Sequence, residues 1–431
     1  MKFLFNLTLL LIVCCTTTQS QAQNYSLKPG RPVDLVNVFL GSSGDHGQMS
    51  PAASYPFGML SIGPQTYPTT HMGYEHLAKK FTGFTHTRFE GVGCTGSGGL
   101  ILIKPFLGKT ASASNLIKSK EKASPGYYEV GFENDIIARL TVLGNAGKHL
   151  YDYPAGEKGV SVDLSHAFSN GFLAEEHQIK NNVLSGWIDA KTTCSVGKYR
   201  SYYYIELPQG ISWQESGNHM LQATFSNKAQ QIEVNVALSS VSIDAAKETI
   251  NRNKFESLQK QNSVEWNTLL SRIAVEGNLE NASLFYSLMY RTMQSPYMIS
   301  EADGTYRSTK GELQKSKEPR YNGWAIWDNY RTQLPLLSII TPEKYSGMVS
   351  SLGDMYHSGK KDYATQNEPS NTVRTEHTIV VLLDAYRKGY KVDFKSIADS
   401  LRKEVNGLDY KAPDKALESS YDAWAMSEIY T

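Results

Sequence analysis

The sequence predicts a two-domain protein of mixed class, with a β-sandwich followed by a helical domain. Residues 33–242 contain many short runs rich in β-branched and aromatic residues, and residues 232–238 alternate strictly between apolar and polar. Turn residues, as at 145–147 and 208–210, separate these runs without helical interruption. After residue 244 the apolar spacing becomes that of helices. We expect a sandwich domain over 23–243, a helical linker over 244–280 and a helical domain over 281–431.

The helical part divides at glycine, proline and capping residues. An apolar stripe that includes Leu284, Leu288 and Met289 predicts a helix that ends before Pro296. A Thr-Pro pair at 341–342 is typical of a helix start. The expected helices span 244–270, 284–293, 341–358, 378–388, 394–405 and a last one from about 416.

The N-terminus has the composition of a secretory signal peptide. A lysine precedes an apolar stretch over 7–15, and small residues follow at the expected distance from a cleavage site. We therefore expect residues 1–22 to be removed and the protein to be exported to the periplasm or the cell surface. Attachment of a lipid at Cys14 or Cys15 is the alternative. No later apolar run approaches the ~18 residues of a membrane helix, so no transmembrane segment is expected.

Charge, aromatic content and cysteine content limit the kinds of molecule that the protein is expected to bind. The formal net charge is +1 and basic residues do not cluster, so nucleic acid is not expected as a partner. Aromatic residues make up 11% of the chain, which suits a carbohydrate-binding surface and equally a large β core. After the signal peptide only Cys94 and Cys194 remain, and they could pair in an oxidising compartment.

A segment at residues 83–99, Gly-Phe-Thr-His-Thr-Arg-Phe-Glu-Gly-Val-Gly-Cys-Thr-Gly-Ser-Gly-Gly, sets polar groups among glycines. Glycine lets the backbone approach a ligand closely and weakens a strand or a helix. The segment therefore predicts a shaped loop that holds His86, Arg88, Glu90 and Cys94 at fixed positions. A glycine-rich hairpin turn with solvated charges is the alternative.

A second run, Trp-Ala-Ile-Trp-Asp-Asn-Tyr-Arg-Thr-Gln at 324–333, combines an indole, a carboxylate, a phenol and a guanidinium. Sugar rings stack their C–H faces on aromatic rings and donate hydroxyl protons to carboxylates. The run predicts sugar contacts from Trp327 and Asp328, with Arg331 beside them. The alternative is structural, with Trp327 in a core and Asp328 paired with Arg331 at spacing i, i+3.

Together the two runs resemble glycoside hydrolase family 92, the calcium-dependent, inverting exo-α-mannosidases. Other segments follow in the family's order across nearly the whole mature chain, and such an ordered series is specific. They include Pro-Ala-Ala-Ser-Tyr-Pro-Phe-Gly-Met at 51–59, Trp-Asn at 266–267, Phe-Tyr at 285–286, Tyr-Arg-Thr at 290–292, Asp-Ala-Tyr-Arg-Lys-Gly at 384–389 and Leu-Glu-Ser-Ser-Tyr-Asp-Ala-Trp at 417–424.

The resemblance implies a fold, a substrate and a cofactor. The fold would be an N-terminal β-sandwich followed by an (α/α)6 barrel, of which residues 281–431 would form the first part. The substrate would be a mannose-containing glycan, and the cofactor calcium. The resemblance also favours a free thiol at Cys94. The residues that it places at the sugar are His86, Glu90, Cys94, Trp327, Asp328, Arg331 and Glu418.

The catalytic carboxylates are not found in the sequence. An inverting glycosidase needs an acid and a base roughly 6.5–9.5 Å apart. In the family these residues lie in a Glu-Gly-Asn-Ala-Trp-like run and a Gly-Asn-Asp/Glu-Asp-like run, and this chain has neither. Twelve barrel helices need on the order of 200 residues, more than 281–431 supply. We expect an incomplete barrel, with the acid and base beyond residue 431 in a truncated or split enzyme.

Two further acidic positions are candidates. The run Asn-Glu-Pro-Ser at 367–370 matches a calcium-binding run of the family but stands outside its usual order. Glu368 is therefore the candidate metal ligand, and an ordinary loop is the alternative. Glu418 and Asp422 lie at spacing i, i+4, so they share one helix face and either line the sugar site or bond within the barrel.

The sequence thus predicts an exported α-mannosidase-type glycosidase that removes terminal mannose with the help of calcium. Without the acid and base, this chain alone is not expected to hydrolyse mannosides at the rates of the family, and a second chain that completes the barrel is one possible partner. The alternatives are a non-catalytic glycan-binding protein and an inactive fragment of a split enzyme.

Overall fold

The computed structural model describes residues 30–44, 49–67, 72–91, 96, 98–192, 197–226, 228, 230–308, 311–324, 326–358 and 377–405. An antiparallel β-sandwich comes first and a helical domain follows it, which confirms the predicted fold class. The strands are β1 (Ala53–Ser54), β2 (Ser61–Tyr67), β3 (Lys80–Arg88), β4 (Gly98–Leu107), β5 (Leu116–Ser124), β6 (Tyr127–Phe132), β7 (Ile137–Leu143), β8 (Ala146–Asp152), β9 (Lys158–Asp163), β10 (Phe172–Lys180), β11 (Val183–Lys191), β12 (Lys198–Glu206), β13 (Gln214–Gly217), β14 (Met220–Phe225), β15 (Gln231–Ser239), β16 (Tyr297–Met298), β17 (Thr305–Arg307), β18 (Leu313–Lys315) and β19 (Tyr321–Asn322).

The sandwich is one sheet that folds over its own core. In the described part of the chain, 15 strands are connected in the order β10-β11-β12-β15-β8-β7-β6-β5-β3-β4-β9-β14-β13, and β2 with β1 extends from β3. The two halves are joined where β3 pairs with β5. Both halves contribute to the core, with Phe84 and Ile103 from one and Tyr128, Tyr151 and Tyr203 from the other, all fully buried.

The helical domain has a second core, to which the chain before the sandwich contributes. Trp266, Tyr290 and Leu352 are buried in it together with Val33 and Val38. The N-terminal segment therefore ties the two domains together. The helices are α1 (Ile243–Thr249), α2 (Phe255–Leu270), α3 (Leu279–Arg291), α4 (Ile326–Asn329), α5 (Gln333–Ile340), α6 (Pro342–Ser358), α7 (Thr378–Arg387) and α8 (Phe394–Val405), and short 3-10 helices lie at Pro32–Leu35 and Phe168–Asn170.

Local sequence signals explain several helix ends. The Ser242 hydroxyl accepts a hydrogen bond from the Ala245 N–H and caps α1, and Asn278 caps α3 in the same way. Gly389, at φ +90°, follows α7, a conformation that glycine adopts without strain. Among the described residues no helix is both long and apolar enough to cross a membrane.

Three expectations about secondary structure were wrong. Residues 80–88 form β3, so only the part after Arg88 can be a loop. The single helix expected over 244–270 is broken into α1 and α2. The region expected to be wholly helical also contains two small antiparallel sheets, β16 with β19 and β17 with β18. The physical reason is the same in each case: pairing with a distant strand or packing on a neighbour outweighs local propensity.

The buried face of α3 covers only part of the predicted stripe. Met289 is buried, whereas Leu284 and Leu288 are 49% and 53% exposed. The face towards the core instead carries Tyr286 and Tyr290. The Tyr286 and Tyr290 rings supply apolar surface on this face, because a tyrosine can bury its ring and still bond its hydroxyl.

Candidate functional site

Glu90 fixes the chain directly after β3. Its carboxylate accepts one hydrogen bond from the Ser50 N–H, at 2.7 Å, and one from the Ser50 hydroxyl, at 2.5 Å. Hydrogen bonds to a charged acceptor are roughly twice as strong as those between neutral groups. Glu90 therefore holds the chain that follows β3 against Ser50, which directly precedes the Pro-Ala-Ala-Ser run.

Arg291 links Ser50 to the helical domain. It is the last residue of α3, and its guanidinium donates to the carbonyls of Ser50 at 3.0 Å, Val38 at 2.6 Å and Leu40 at 3.3 Å. A positive charge is favourable at the C-terminal end of a helix, where carbonyls lack helical partners. The Ser50 residue is thus bonded to Glu90 on one side and to Arg291 on the other.

A second set of bonds lies immediately beside the first. The Ser54 hydroxyl lies 2.8 Å from the Tyr290 hydroxyl, and the Gln294 amide donates to both at 3.2 Å. The Ser54 carbonyl accepts from the Trp266 indole N–H at 2.9 Å and from the Asn262 amide at 3.0 Å. The end of β1 is therefore anchored to both α2 and α3.

The second run, at 324–333, bonds to the chain just after α3. The Gln333 side chain, at the start of α5, donates to the carbonyls of Thr292 at 2.8 Å and Ser295 at 2.6 Å. Residues 290–295 thus bond to the Glu90 side of the sandwich through Arg291 and to the 324–333 run through Gln333. The two runs that the sequence singled out meet at the C-terminal end of α3.

Within the second run, the described side chains are held by aromatic contacts. Trp324 is 1% exposed. The Tyr330 ring stacks on the His377 ring with centroids 4.4 Å apart, and Arg331 donates from Nε to the Tyr330 hydroxyl at 2.6 Å. The guanidinium also lies 5.0 Å from the Tyr330 ring centroid. Arg331 is thus positioned by Tyr330.

Asn329, next to Tyr330, has an unusual environment. It is 4% exposed, and neither its amide oxygen nor its amide nitrogen has a hydrogen-bond partner among the described residues. A buried amide without partners costs free energy, about 1–3 kcal/mol for each unsatisfied group. Such a group is a natural place for a polar ligand to bond, and it lies in the run predicted to contact sugar.

The prediction for His86 needs correction. Its ring is fully buried in the sandwich, where Nδ1 lies 2.8 Å from the Ile101 carbonyl and Nε2 lies 2.9 Å from Nε2 of His149. Burial lowers the pKa of His86 to about 4, so the ring is neutral. Since both ring nitrogens bond inside the sandwich, His86 does not reach a pocket between the domains. Its strand position directs it into the core.

Arg88, two residues further along β3, also serves the sandwich. It is 6% exposed and donates to the Pro64 carbonyl at 2.7 Å and to the Thr85 hydroxyl at 2.8 Å. Burial lowers the pKa of Arg88 to about 10. Of the charged side chains in this segment that the structure describes, Glu90 is therefore the one that bonds towards the helical domain.

The remaining predicted residues lie outside what the structure describes. Cys94, Glu418 and the candidate metal ligand Glu368 fall in undescribed stretches, and so do the side chains of Trp327 and Asp328. Their roles stay predictions. Among the described residues, no three histidine, cysteine, aspartate or glutamate side chains are grouped so that they could hold a metal ion.

Sequence reasoning missed Ser50, Arg291 and Gln333, which connect the two runs. Ser50 directly precedes the Pro-Ala-Ala-Ser run, and Arg291 belongs to the Tyr-Arg-Thr run, so both stood at recognisable segments. No local pattern could show that Arg291 bonds to Ser50, because the two residues are 241 positions apart.

Comparison with known protein families identifies the chain. The model of the glycosyl hydrolase family 92 N-terminal domain matches residues 35–239, and the model of the family 92 catalytic domain matches residues 243–427. The chain belongs to glycosyl hydrolase family 92. The boundary between the two matches falls between the end of β15 and the start of α1. In this family 92 protein, the network between Glu90 and Gln333 therefore lies where the N-terminal domain meets the catalytic domain.

Solved structures share this fold. The family 92 glycosyl hydrolase ccman5 is 26% identical, with a TM-score of 0.80 over 92% of this chain and 61% of that chain. The family 92 α-mannosidase BT3965 from Bacteroides thetaiotaomicron is 20% identical, with a TM-score of 0.81 over 93% of this chain and 62% of that chain. A family 92 inverting mannosidase from the same organism, BT2199, is 20% identical, with a TM-score of 0.75 over 90% and 57%.

A curated relative is also known. An uncharacterized secreted glycosidase from Arthroderma benhamiae is 23% identical over 363 residues, which are 70% of this chain and 46% of that protein. This family 92 chain therefore spans less than two thirds of the length of that relative and of each of these three structures.

Proposed function

We propose that this family 92 protein functions as an α-mannosidase-type glycosidase that removes terminal mannose from glycans. The observation that carries the proposal is the match to both family domains, with the two predicted runs joined at the end of α3 through Arg291 and Gln333. Two of the similar structures are described as mannosidases, and one was solved with mannoimidazole bound.

In this proposal Glu90 positions the glycine-rich segment that follows it, because its carboxylate is bonded to Ser50. Trp327 and Asp328 contact the sugar through ring stacking and hydroxyl bonds. Arg331, which is exposed and fixed on Tyr330, contributes a donor at the same place. Cys94 and Glu418 complete the predicted set.

The proposed reaction inverts the configuration at the mannose anomeric carbon. An acid would protonate the leaving oxygen while a base activates water on the opposite face, the two carboxyl groups being roughly 6.5–9.5 Å apart. We assign neither role to a described residue. Of the described residues, Glu90 supplies orientation and Arg331 supplies a hydrogen-bond donor instead.

Calcium is proposed from the family resemblance and not from the geometry. The described residues form no acidic or histidine group that would hold a metal ion, and Glu368 lies outside them. The described residues therefore supply no ligand set for a metal, and no step is derived through one.

We also propose that the protein is exported, to the periplasm or to the cell surface. The sequence has a predicted signal peptide over 1–22, and the curated relative is described as secreted. The test is the mass of the protein recovered from its native host, which should correspond to a chain that begins near Gln23. A retained Met1 on cytoplasmic protein would contradict export.

The activity test uses α-linked mannobioses of several linkages as substrates. We expect this chain alone to bind mannobiose and to release mannose far more slowly than enzymes of the family, with any product appearing first as the β-anomer in an NMR time course. A chelator should weaken binding and release, and calcium should restore them. Binding of mannobiose without any release would indicate a glycan-binding protein. The absence of both binding and release would refute the proposal, provided that circular dichroism shows a folded chain.

A further inference from the structure

A cleft lies between the outer face of the sandwich and the small hairpin of β17 and β18. Its volume is about 280 Å³, slightly below the usual range of small-molecule sites. Lys198, Arg200 and Tyr202 of β12 line one side, Asp189 of β11 lies beside them, and Arg307 of β17 closes the other side. Both domains therefore contribute to its walls.

Arg200 is held in place on two sides. Its Nε and one terminal nitrogen bond to the two oxygens of Asp189, at 2.6 and 2.8 Å, across the β11–β12 pair. The guanidinium carbon also lies 3.6 Å from the centroid of the Trp187 ring. Such a guanidinium is pre-organised, so it loses little side-chain freedom when a ligand binds.

Arg307 is fixed as firmly, but by neutral groups. It donates to the carbonyls of Ser240 at 3.1 Å, Val241 at 2.9 Å and Gly311 at 2.6 Å, and to the Tyr202 hydroxyl at 3.3 Å. None of these acceptors carries a charge. The positive charge of Arg307 therefore persists at the wall of the cleft.

The cleft carries an excess of positive charge. It is lined by three cationic side chains and by one carboxylate, that of Asp189, which already bonds to Arg200. In the part of the chain that the structure describes, Lys198 and Arg307 have no ion-pair partner. Two nearby carboxylates bond elsewhere, Glu176 to the Trp187 indole at 3.2 Å and Glu301 to the Ser239 hydroxyl at 2.5 Å.

We propose that this cleft is a binding site for an oxyanion, a carboxylate, sulfate or phosphate group that is either free or carried on a sugar ring. The Lys198 ammonium and the N–H groups of Arg200 and Arg307 that are not already bonded outnumber the free acceptors of the cleft, and the net charge is positive. This suits an acceptor-rich anion better than a neutral sugar. The site is separate from the network around Arg291, so its occupancy can be measured whether or not the protein hydrolyses mannosides.

The test is direct binding, by NMR or calorimetry at low salt, with inorganic phosphate, glucuronate and glucose as probes. Phosphate reports a free anion, and glucuronate with its neutral counterpart glucose reports an anion carried on a ring. We expect phosphate or glucuronate to bind and added salt to weaken the binding. Binding of glucose as tight as that of glucuronate would overturn the proposal, and so would no binding of either anion.

Variants locate the site. Losing one charged hydrogen bond should weaken binding about tenfold, so Lys198→Gln and Arg200→Gln should each show this loss. Asp189→Asn removes the one negative charge and keeps an acceptor for Arg200, so it should tighten anion binding. A neutral-sugar site would instead lose affinity in Asp189→Asn, and that result would also overturn the proposal.

A matched control is an arginine that pairs with the same strand from outside the cleft. Arg252 makes a bidentate pair with Glu206 of β12, at 3.1 Å for both bonds, and its side chain is 61% exposed outside the cleft. Arg252→Gln removes the same type of interaction and should leave anion affinity unchanged. An equal loss in Arg252→Gln and Arg200→Gln would show general charge attraction and refute a site at the cleft.

Discussion

His86 and His149 meet ring to ring in the buried centre of the sandwich, with their Nε2 atoms 2.9 Å apart. Only one of the two nitrogens can carry the proton in this bond. The Ile101 carbonyl can only accept, so His86 must be protonated on Nδ1 and accept at Nε2. His149 must then donate from Nε2, and its Nδ1 accepts from the Tyr151 hydroxyl at 2.8 Å. One tautomer of each ring satisfies the whole chain of bonds.

We predict that both rings stay neutral under mildly acidic conditions and that the protein loses stability there. Burial lowers the pKa of both rings, that of His86 to about 4. Between the unfolded value of about 6.5 and the folded value, the unfolded state binds protons that the native state does not, so each ring costs about 1.4 kcal/mol of stability per pH unit as pH falls. Above pH about 6.5 the two rings are neutral in both states and no longer lower the stability.

Imidazole nitrogen shifts recorded from pH 8 to pH 5 should show fixed tautomers, Nδ1–H for His86 and Nε2–H for His149. In denaturant titrations, His149→Gln should make the loss of stability between pH about 6.5 and 4 shallower than in the wild type. Normal titration of both rings near pH 6.5 would contradict the assignment.

Arg291→Gln should destabilise the protein, since it removes a guanidinium that bonds to the carbonyls of Val38, Leu40 and Ser50. We expect a loss of about 2–4 kcal/mol in the free energy of unfolding, measured by urea denaturation. The control is Arg31→Gln, which removes an exposed pair with Asp34 and should change stability by no more than about 1 kcal/mol. Equal effects of the two substitutions would show that Arg291 does not link the domains.

Asn262→Asp should destabilise the protein at least as much as Arg291→Gln, although it conserves the size of the side chain. The Asn262 amide is fully buried and donates to the carbonyls of Ser54 at 3.0 Å and Val142 at 2.5 Å. Aspartate would replace this donor with a negative charge beside two acceptors, at a cost of about 3 kcal/mol or more. Gln261→Glu, on the exposed side of α2, is the control and should leave the thermal midpoint nearly unchanged. An unchanged midpoint for Asn262→Asp would indicate that the site admits water.

Glu90→Gln should weaken glycan binding more than it weakens the fold. The amide keeps the shape but offers one acceptor where the carboxylate offers two, so one of the two bonds from Ser50 is lost. We expect a rise in the KM for mannobiose, or in its dissociation constant, of about tenfold, and a stability loss of about 1 kcal/mol. Glu133→Gln, in an exposed turn before β7, serves as the control. An unchanged mannobiose affinity in Glu90→Gln would exclude Glu90 from positioning the site.

Much of the local structure could be predicted from the sequence. Residues 394–405 form the expected helix, and α6 begins at the predicted Thr-Pro pair and extends to Ser358. Strict alternation over 232–238 marked β15. These elements were predictable because periodicity and capping are properties of neighbouring residues. The ordered family segments likewise placed the two runs that meet at α3.

The sequence by itself determined where the sandwich strands give way to helices, and it singled out the two runs that meet at the end of α3. Only the tertiary structure decided that His86 is buried against His149, that Glu90 bonds to Ser50 and that Arg291 returns to the N-terminal segment. The reason is physical: a side chain's role depends on its burial and on its partners, and these partners lie 40 to 253 positions away in the chain. Such contacts form only when the whole core packs, so no local pattern contains them.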